Sequence, residues 1–189
     1  MEMTLRAFIT ATHGMLFGIF FLLAIYGVVV ELCRSVYVRQ PPELTAKGHA
    51  LERLYLICMV VLGWAAILSG AYIVYPWYRA IPPAGIANLI QYPQALLKSS
   101  PTTAGWHNLG MEWKEHIAWF APIAMTMVAY VLIRCRRSMK EHPQIRRAVL
   151  VFALVAFVSA GVAGFFGAML NKHAPVRGGS TIQLMGEGR

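Results

Sequence analysis

The sequence predicts an all-α integral membrane protein, a four-transmembrane-helix bundle with a long outer loop between spans two and three. The chain is 58% hydrophobic with a mean hydropathy of +0.55, whereas soluble domains contain about 45–50% apolar residues. Its four apolar runs lie near 11–32, 55–75, 117–133 and 149–170. Each run holds about 20 residues, enough to cross a ~30 Å hydrocarbon core. None alternates polar and apolar residues as barrel strands do, so helices are expected.

Residues 1–173 are therefore predicted to form one four-span membrane domain, followed by a polar tail over 174–189. In span one, glycines allow another helix to approach closely, and small residues recur at helical spacing in span two. Pro76 is expected to end span two, and Pro122 is expected to kink span three. Pro41 and Pro42 break the first loop.

Basic residues are concentrated in two of the loops. Ten of the 17 lysines and arginines lie between spans one and two or between spans three and four: Arg34, Arg39, Lys47, Arg53, Arg134, Arg136, Arg137, Lys140, Arg146 and Arg147. By the positive-inside rule these loops are cytoplasmic. We expect a multi-pass protein of the bacterial inner membrane with both termini periplasmic. This distribution indicates membrane orientation and no nucleic-acid partner.

Four histidines fall at the predicted outer ends of spans: His13, His107, His116 and His173. His13 opens span one, and His116 opens span three. An imidazole in hydrocarbon is costly without a partner or a ligand, so titratable residues at these positions are functional candidates. The chain has no CxxCH motif, which excludes covalent haem attachment of the c type.

A b-type haem bound by two histidines needs imidazoles on different helices at matching depth, with small residues beside the ring. We predict His13 and His116 as the axial ligands because each opens its span at the same membrane face. Gly164 would flank the ring, and Arg79 or Lys172 would meet a propionate. His173 is the substitute for either ligand, or joins His107 around a second centre.

The arrangement of histidines opening spans one and three, with small residues in spans two and four, resembles small bacterial four-helix b-type cytochrome subunits and related four-span families. Span two has no histidine, unlike many two-haem members. The resemblance implies an electron-transfer subunit that passes electrons between the quinone pool and a partner carrier within a larger redox complex. It implies haem b held by His13 and His116, a possible quinone, and no catalytic residues of its own.

Two other functions fit the same residues. A mixed nitrogen and oxygen shell for copper, zinc or iron is available from His13, His107, Glu112, Glu115, His116 and His173. Glu112 and His116 are four residues apart and share a helical face. The remaining alternative is an accessory subunit without a cofactor, whose histidines are interfacial.

The tail has no apolar periodicity and is expected to be disordered on its own. We expect it to become ordered only when a partner subunit holds it.

Overall fold

The computed structural model describes residues 2–38 and 45–183 and confirms the all-α four-helix bundle. Four helices are long and apolar enough to cross a membrane: Leu5–Tyr37, Ala46–Tyr78, Pro101–Arg134 and Pro143–His173. These are spans one to four below. The protein is therefore a multi-pass membrane protein surrounded by a lipid bilayer. The predicted break at Pro41 and Pro42, like Arg39, lies outside the described residues.

Three of the spans are interrupted by π-helical segments, and span four is not. Span one contains α1 (Leu5–Ala11), a π segment (Thr12–Ile19), α2 (Phe20–Cys33) and a second π segment (Arg34–Val38). Span two contains α3 (Ala46–Ser69), a π segment (Gly70–Val74) and α4 (Tyr75–Tyr78). Span three contains α6 (Pro101–Glu112), a π segment (Trp113–Ile117) and α7 (Phe120–Arg134). Two short helices, α5 (Pro93–Lys98) and α8 (Arg136–Glu141), precede and follow span three, and span four is α9 (Pro143–His173).

The middle of the bundle is an apolar core to which all four spans contribute. Ile25, Met59, Met125 and Ala153 are each fully buried in it. Alanines and glycines on spans three and four keep the helices close, as is common between membrane helices. Large apolar side chains that face outward, such as Leu23 and Val61, cover the surface expected to meet lipid.

Helix boundaries differ from the predicted ones at the outer end. Span two continues through Pro76 to Tyr78, two residues beyond the predicted end. Pro122 lies in the first turn of α7, directly after the turn at Ala118 and Trp119 that separates this helix from the π segment. Span three begins at Pro101, so the outer loop covers 79–100 instead of 76–115.

The outer ends pack against each other, which explains why the spans are longer than their apolar runs. Tyr78, Leu97, Met111, Leu170 and Val176 are buried together in a second apolar cluster. This cluster joins the outer loop, the ends of spans two, three and four, and the beginning of the tail.

The prediction that the tail is ordered only by a partner subunit is wrong for the part described. Residues Thr181–Gln183 form β2, which pairs antiparallel with β1 (Glu2–Thr4) at the N-terminus. The backbone N–H of Leu5 also donates to the carbonyl of Ser180 at 2.9 Å. The tail is therefore held by the same chain; residues 184–189 lie outside the described part.

Replacement of Gly63 by Ala tests the packing of spans one and two. A methyl group at Gly63 would lie 2.6 Å from Cε2 of the buried Phe21 ring. We expect Gly63→Ala to lower the free energy of unfolding by about 1–3 kcal/mol because the ring has little room to move. Denaturant titration in detergent micelles, followed by circular dichroism, measures this.

The matched control is Gly105→Ala, where a methyl group would meet no atom within 4 Å. This helical glycine should gain up to about 1 kcal/mol on substitution. Equal effects of the two substitutions would contradict the described contact between spans one and two.

Candidate functional site

The outer half of the bundle places a histidine and a lysine among apolar helices, both on π-helical segments. His13 lies on the segment Thr12–Ile19, and Lys114 lies on Trp113–Ile117. Segments of this kind are rare and often occur at functional sites. Lys114 lies close enough to His13 for its charge to act on the imidazole. We refer to His13, Ser69, Gly70 and Lys114 as the outer site.

His13 is oriented by span two. Its Nδ1 lies 3.0 Å from Oγ of Ser69. The Ser69 hydroxyl already donates to the carbonyl of Ala65 at 2.6 Å, so its oxygen accepts from Nδ1–H of His13. In the neutral imidazole the lone pair is then on Nε2, the usual arrangement for a ligating histidine whose other nitrogen is held by the protein.

Gly70 makes this position of the ring possible. A methyl group at Gly70 would lie 2.7 Å from Cε1 and 3.2 Å from Nε2 of His13. Any larger residue there would displace the imidazole. The sequence predicts Gly70 only as one of the small residues through which span two packs. Its contact with the imidazole of His13 on span one is seen only in the tertiary structure.

Lys114 is the functional candidate that sequence reasoning missed. Its Nζ lies 3.1 Å from the position that a Cβ atom would occupy at Gly167 on span four. The lysine therefore fills part of the space left by the glycines of that span. The predicted apolar run of span three begins at 117, and Lys114, which precedes it, is not among the predicted site residues. The sequence feature that could have indicated it is a lysine three residues before an apolar run, in a chain whose fourth span is rich in glycine.

His116 lies on the other side of span three. It follows Lys114 by two residues, which is about half a turn of the helix. The side chain is 69% exposed, and Nδ1 lies 3.1 Å from the carbonyl oxygen of Glu112. Nδ1 also lies 3.4 Å from Oε2 of Glu112, so the two residues share a face as predicted. The structure thus gives His116 and His13 different surroundings and does not bring them together.

Span four fixes the π segment that carries Lys114. Nε1 of Trp113 donates to the carbonyl of Ser159 at 3.2 Å. The Ser159 hydroxyl donates back to the carbonyl of Ile117 at 2.8 Å. Ser159 is only 3% exposed. These reciprocal bonds fix the rotation of the segment, which directs Lys114 toward Gly167.

A second group of polar side chains lies at the outer ends of spans two and three. The Tyr75 hydroxyl accepts from Nη1 of Arg79 at 2.8 Å and lies near Glu115. Tyr78 and Nδ1 of His107 form a 2.6 Å hydrogen bond. These contacts link the outer end of span two to the outer part of span three.

The remaining predicted residues have separate partners. His107 also lies 3.5 Å from Nε2 of Gln94 through its own Nε2. His173 stacks on Trp106, with ring centroids 5.9 Å apart and an interplanar angle of 16°. A methyl group at Gly164 would meet nothing within 4 Å, so this position is open toward the surroundings. His107 and His173 are therefore engaged at different places.

Within residues 2–38 and 45–183, no group of three or more histidine, cysteine, aspartate or glutamate side chains lies close enough to hold a metal ion. The predicted six-residue metal shell is not assembled in this arrangement. Comparison with protein-family models, curated proteins and solved structures finds no match.

The bond between Ser159 and Ile117 can be tested by Ser159→Ala. The substitution removes the donor to the carbonyl of Ile117, and we expect a loss of about 1 kcal/mol in the free energy of unfolding. Ser35→Ala is the control, since that hydroxyl bonds to Leu32 of its own helix. If both variants unfold alike in micelles, the described link between spans three and four is not a stabilising one.

Proposed function

We propose that this protein is a membrane-embedded electron-transfer subunit that binds a b-type haem in its outer half, with His13 as an axial ligand. It passes electrons between the quinone pool and a partner carrier in a larger complex. The proposed location is the bacterial inner membrane, and the basic loops support an orientation with both termini periplasmic.

The state of His13 carries this proposal. Oγ of Ser69 accepts a hydrogen bond from Nδ1–H of His13, and Gly70 leaves room for the imidazole, so Nε2 carries the lone pair. A histidine inside a membrane bundle without a ligand for such a nitrogen is costly. The residues present therefore fit one axial position of a haem. When bound, a b-type haem supplies one-electron transfer.

The second axial position remains a prediction for His116. Its Nδ1–H donates to the carbonyl of Glu112, which leaves the lone pair of Nε2 available for a haem iron. However, His116 faces away from His13, so the pairing within one chain requires the Trp113–Ile117 segment to rotate. The bonds of Ser159 to Trp113 and Ile117 oppose that rotation.

Lys114 is a better charge partner for a propionate than the cations predicted from sequence. Arg79 is exposed and bonded to Tyr75, and Lys172 is exposed on span four. The ammonium of Lys114 lies beside Gly167 within the outer site. A carboxylate near it would replace lost hydration with a charge-assisted hydrogen bond.

The polar groups above the outer site suit oxidation of quinol on the same side. A quinol releases protons when it gives up electrons, so acceptors must lie nearby. Glu115 and His107, which is hydrogen-bonded to Tyr78, are side chains of a kind that accepts protons.

The haem proposal predicts that His13→Ala abolishes the Soret absorption of the purified protein, because the variant loses the anchored ligand. The control is His142→Ala, an exposed histidine at the basic end of the bundle. An unchanged Soret band in His13→Ala would overturn the assignment. Absence of haem in the unaltered protein expressed with excess haem would overturn the proposed function.

His116→Ala tests the pairing separately. Loss of the low-spin spectrum with a high-spin haem retained would confirm His116 as the second ligand. A full low-spin spectrum would show that another residue occupies that position.

Lys114→Met tests the charge partner. Loss of a positive charge beside the haem should lower its reduction potential by on the order of tens of millivolts, since the oxidised form is then favoured. Lys172→Met, which removes an exposed charge on span four, should change the potential far less. Potentiometric titration of both variants measures this, and equal shifts would contradict the role given to Lys114.

A further inference from the structure

A cavity of about 260 Å³ lies at the opposite, basic end of the bundle. His49, Glu52, Arg53, Ile133 and Arg136 line it. The first three belong to the opening turns of span two, and the other two lie at the end of span three and the start of α8. The cavity is therefore a partly open cleft between two spans, at the level where these helices leave the apolar core.

The charges around this cavity do not balance. Glu52 is its one acidic lining residue, and it forms an ion pair with Arg136. His49 lies 3.9 Å from the same carboxylate. In the described part of the chain, no acidic side chain pairs with Arg53. The lining thus carries one positive charge in excess, even with His49 neutral.

The donors suit a phosphate. A guanidinium has five N–H groups, and the ion pair with Glu52 leaves others of Arg136 unused. Arg53 adds a second guanidinium from the facing helix. Two guanidiniums facing a shared space match the oxygens of one phosphate diester, for which arginine is well suited. Ile133 supplies an apolar wall on the side of the core.

We propose that this cavity binds the phosphate head group of an anionic phospholipid, through Arg53 and Arg136. Basic pockets between membrane helices are common sites for such head groups. The excess of one positive charge matches a phosphatidylglycerol phosphate. A phosphatidylcholine head group would bring an additional cation beside these arginines and is disfavoured. The site is independent of the outer site and of the proposed haem.

The experiment uses the purified full-length protein in neutral detergent, titrated with phosphatidylglycerol or with phosphatidylcholine of identical acyl chains. Native mass spectrometry measures the bound fraction. We expect tighter binding of phosphatidylglycerol, and a roughly fivefold weaker affinity in Arg53→Gln. Arg53 is the decisive variant because its loss leaves no described acidic partner unpaired.

Arg137→Gln is the matched control, since that side chain is 91% exposed and pairs with Glu141 outside the cavity. Equal affinity for the two lipids, or equal losses in Arg53→Gln and Arg137→Gln, would overturn the proposal. A third titration with inorganic phosphate separates the possible sources of the anion. If phosphate competes at the same concentration as phosphatidylglycerol, the site takes the free anion and the lipid assignment is wrong.

Discussion

In hydrocarbon every polar group must find its partner inside the protein, and this constraint shapes the outer half of the bundle. The π segments change which side chains and carbonyls face the neighbouring spans. Ser159 on span four donates to Ile117 and accepts from Trp113. Ser69 on span two accepts a hydrogen bond from His13 and so orients its imidazole. Two serines, Ser159 and the half-buried Ser69, therefore set the orientation of the polar residues inside an otherwise apolar structure.

Glycine makes these contacts possible because it leaves space where a polar side chain enters the bundle. Gly70 lies under the imidazole of His13, and Gly167 lies opposite the ammonium of Lys114. The same small residues that let membrane helices pack closely thus accept a histidine and a lysine. Gly164 has no such neighbour and remains open. Two glycines within one turn of span four therefore have different surroundings, since Gly167 faces Lys114 and Gly164 faces open space.

The two ends of the bundle have different chemistry. At the outer end, tyrosine side chains are hydrogen-bonded to a histidine and an arginine. At the basic end, arginines exceed the acidic residues that could neutralise them. The first arrangement suits the redox role proposed for the outer site, and the second suits contact with anionic head groups. The apolar core between them separates the two.

The sequence by itself determined the fold class, because four runs of about 20 apolar residues have one stable solution in a bilayer. It also identified His13 as a candidate, since a histidine at the start of a span is costly without a partner. Only the tertiary structure decided which residue of span three meets it. Lys114 turns inward and His116 outward because the rotation of the helix depends on Ser159, 42 residues beyond Ile117. The pairing of the tail with β1 could not be predicted either, because it joins residues far apart in the sequence. The two strands are short, and neither has a pattern that indicates its distant partner.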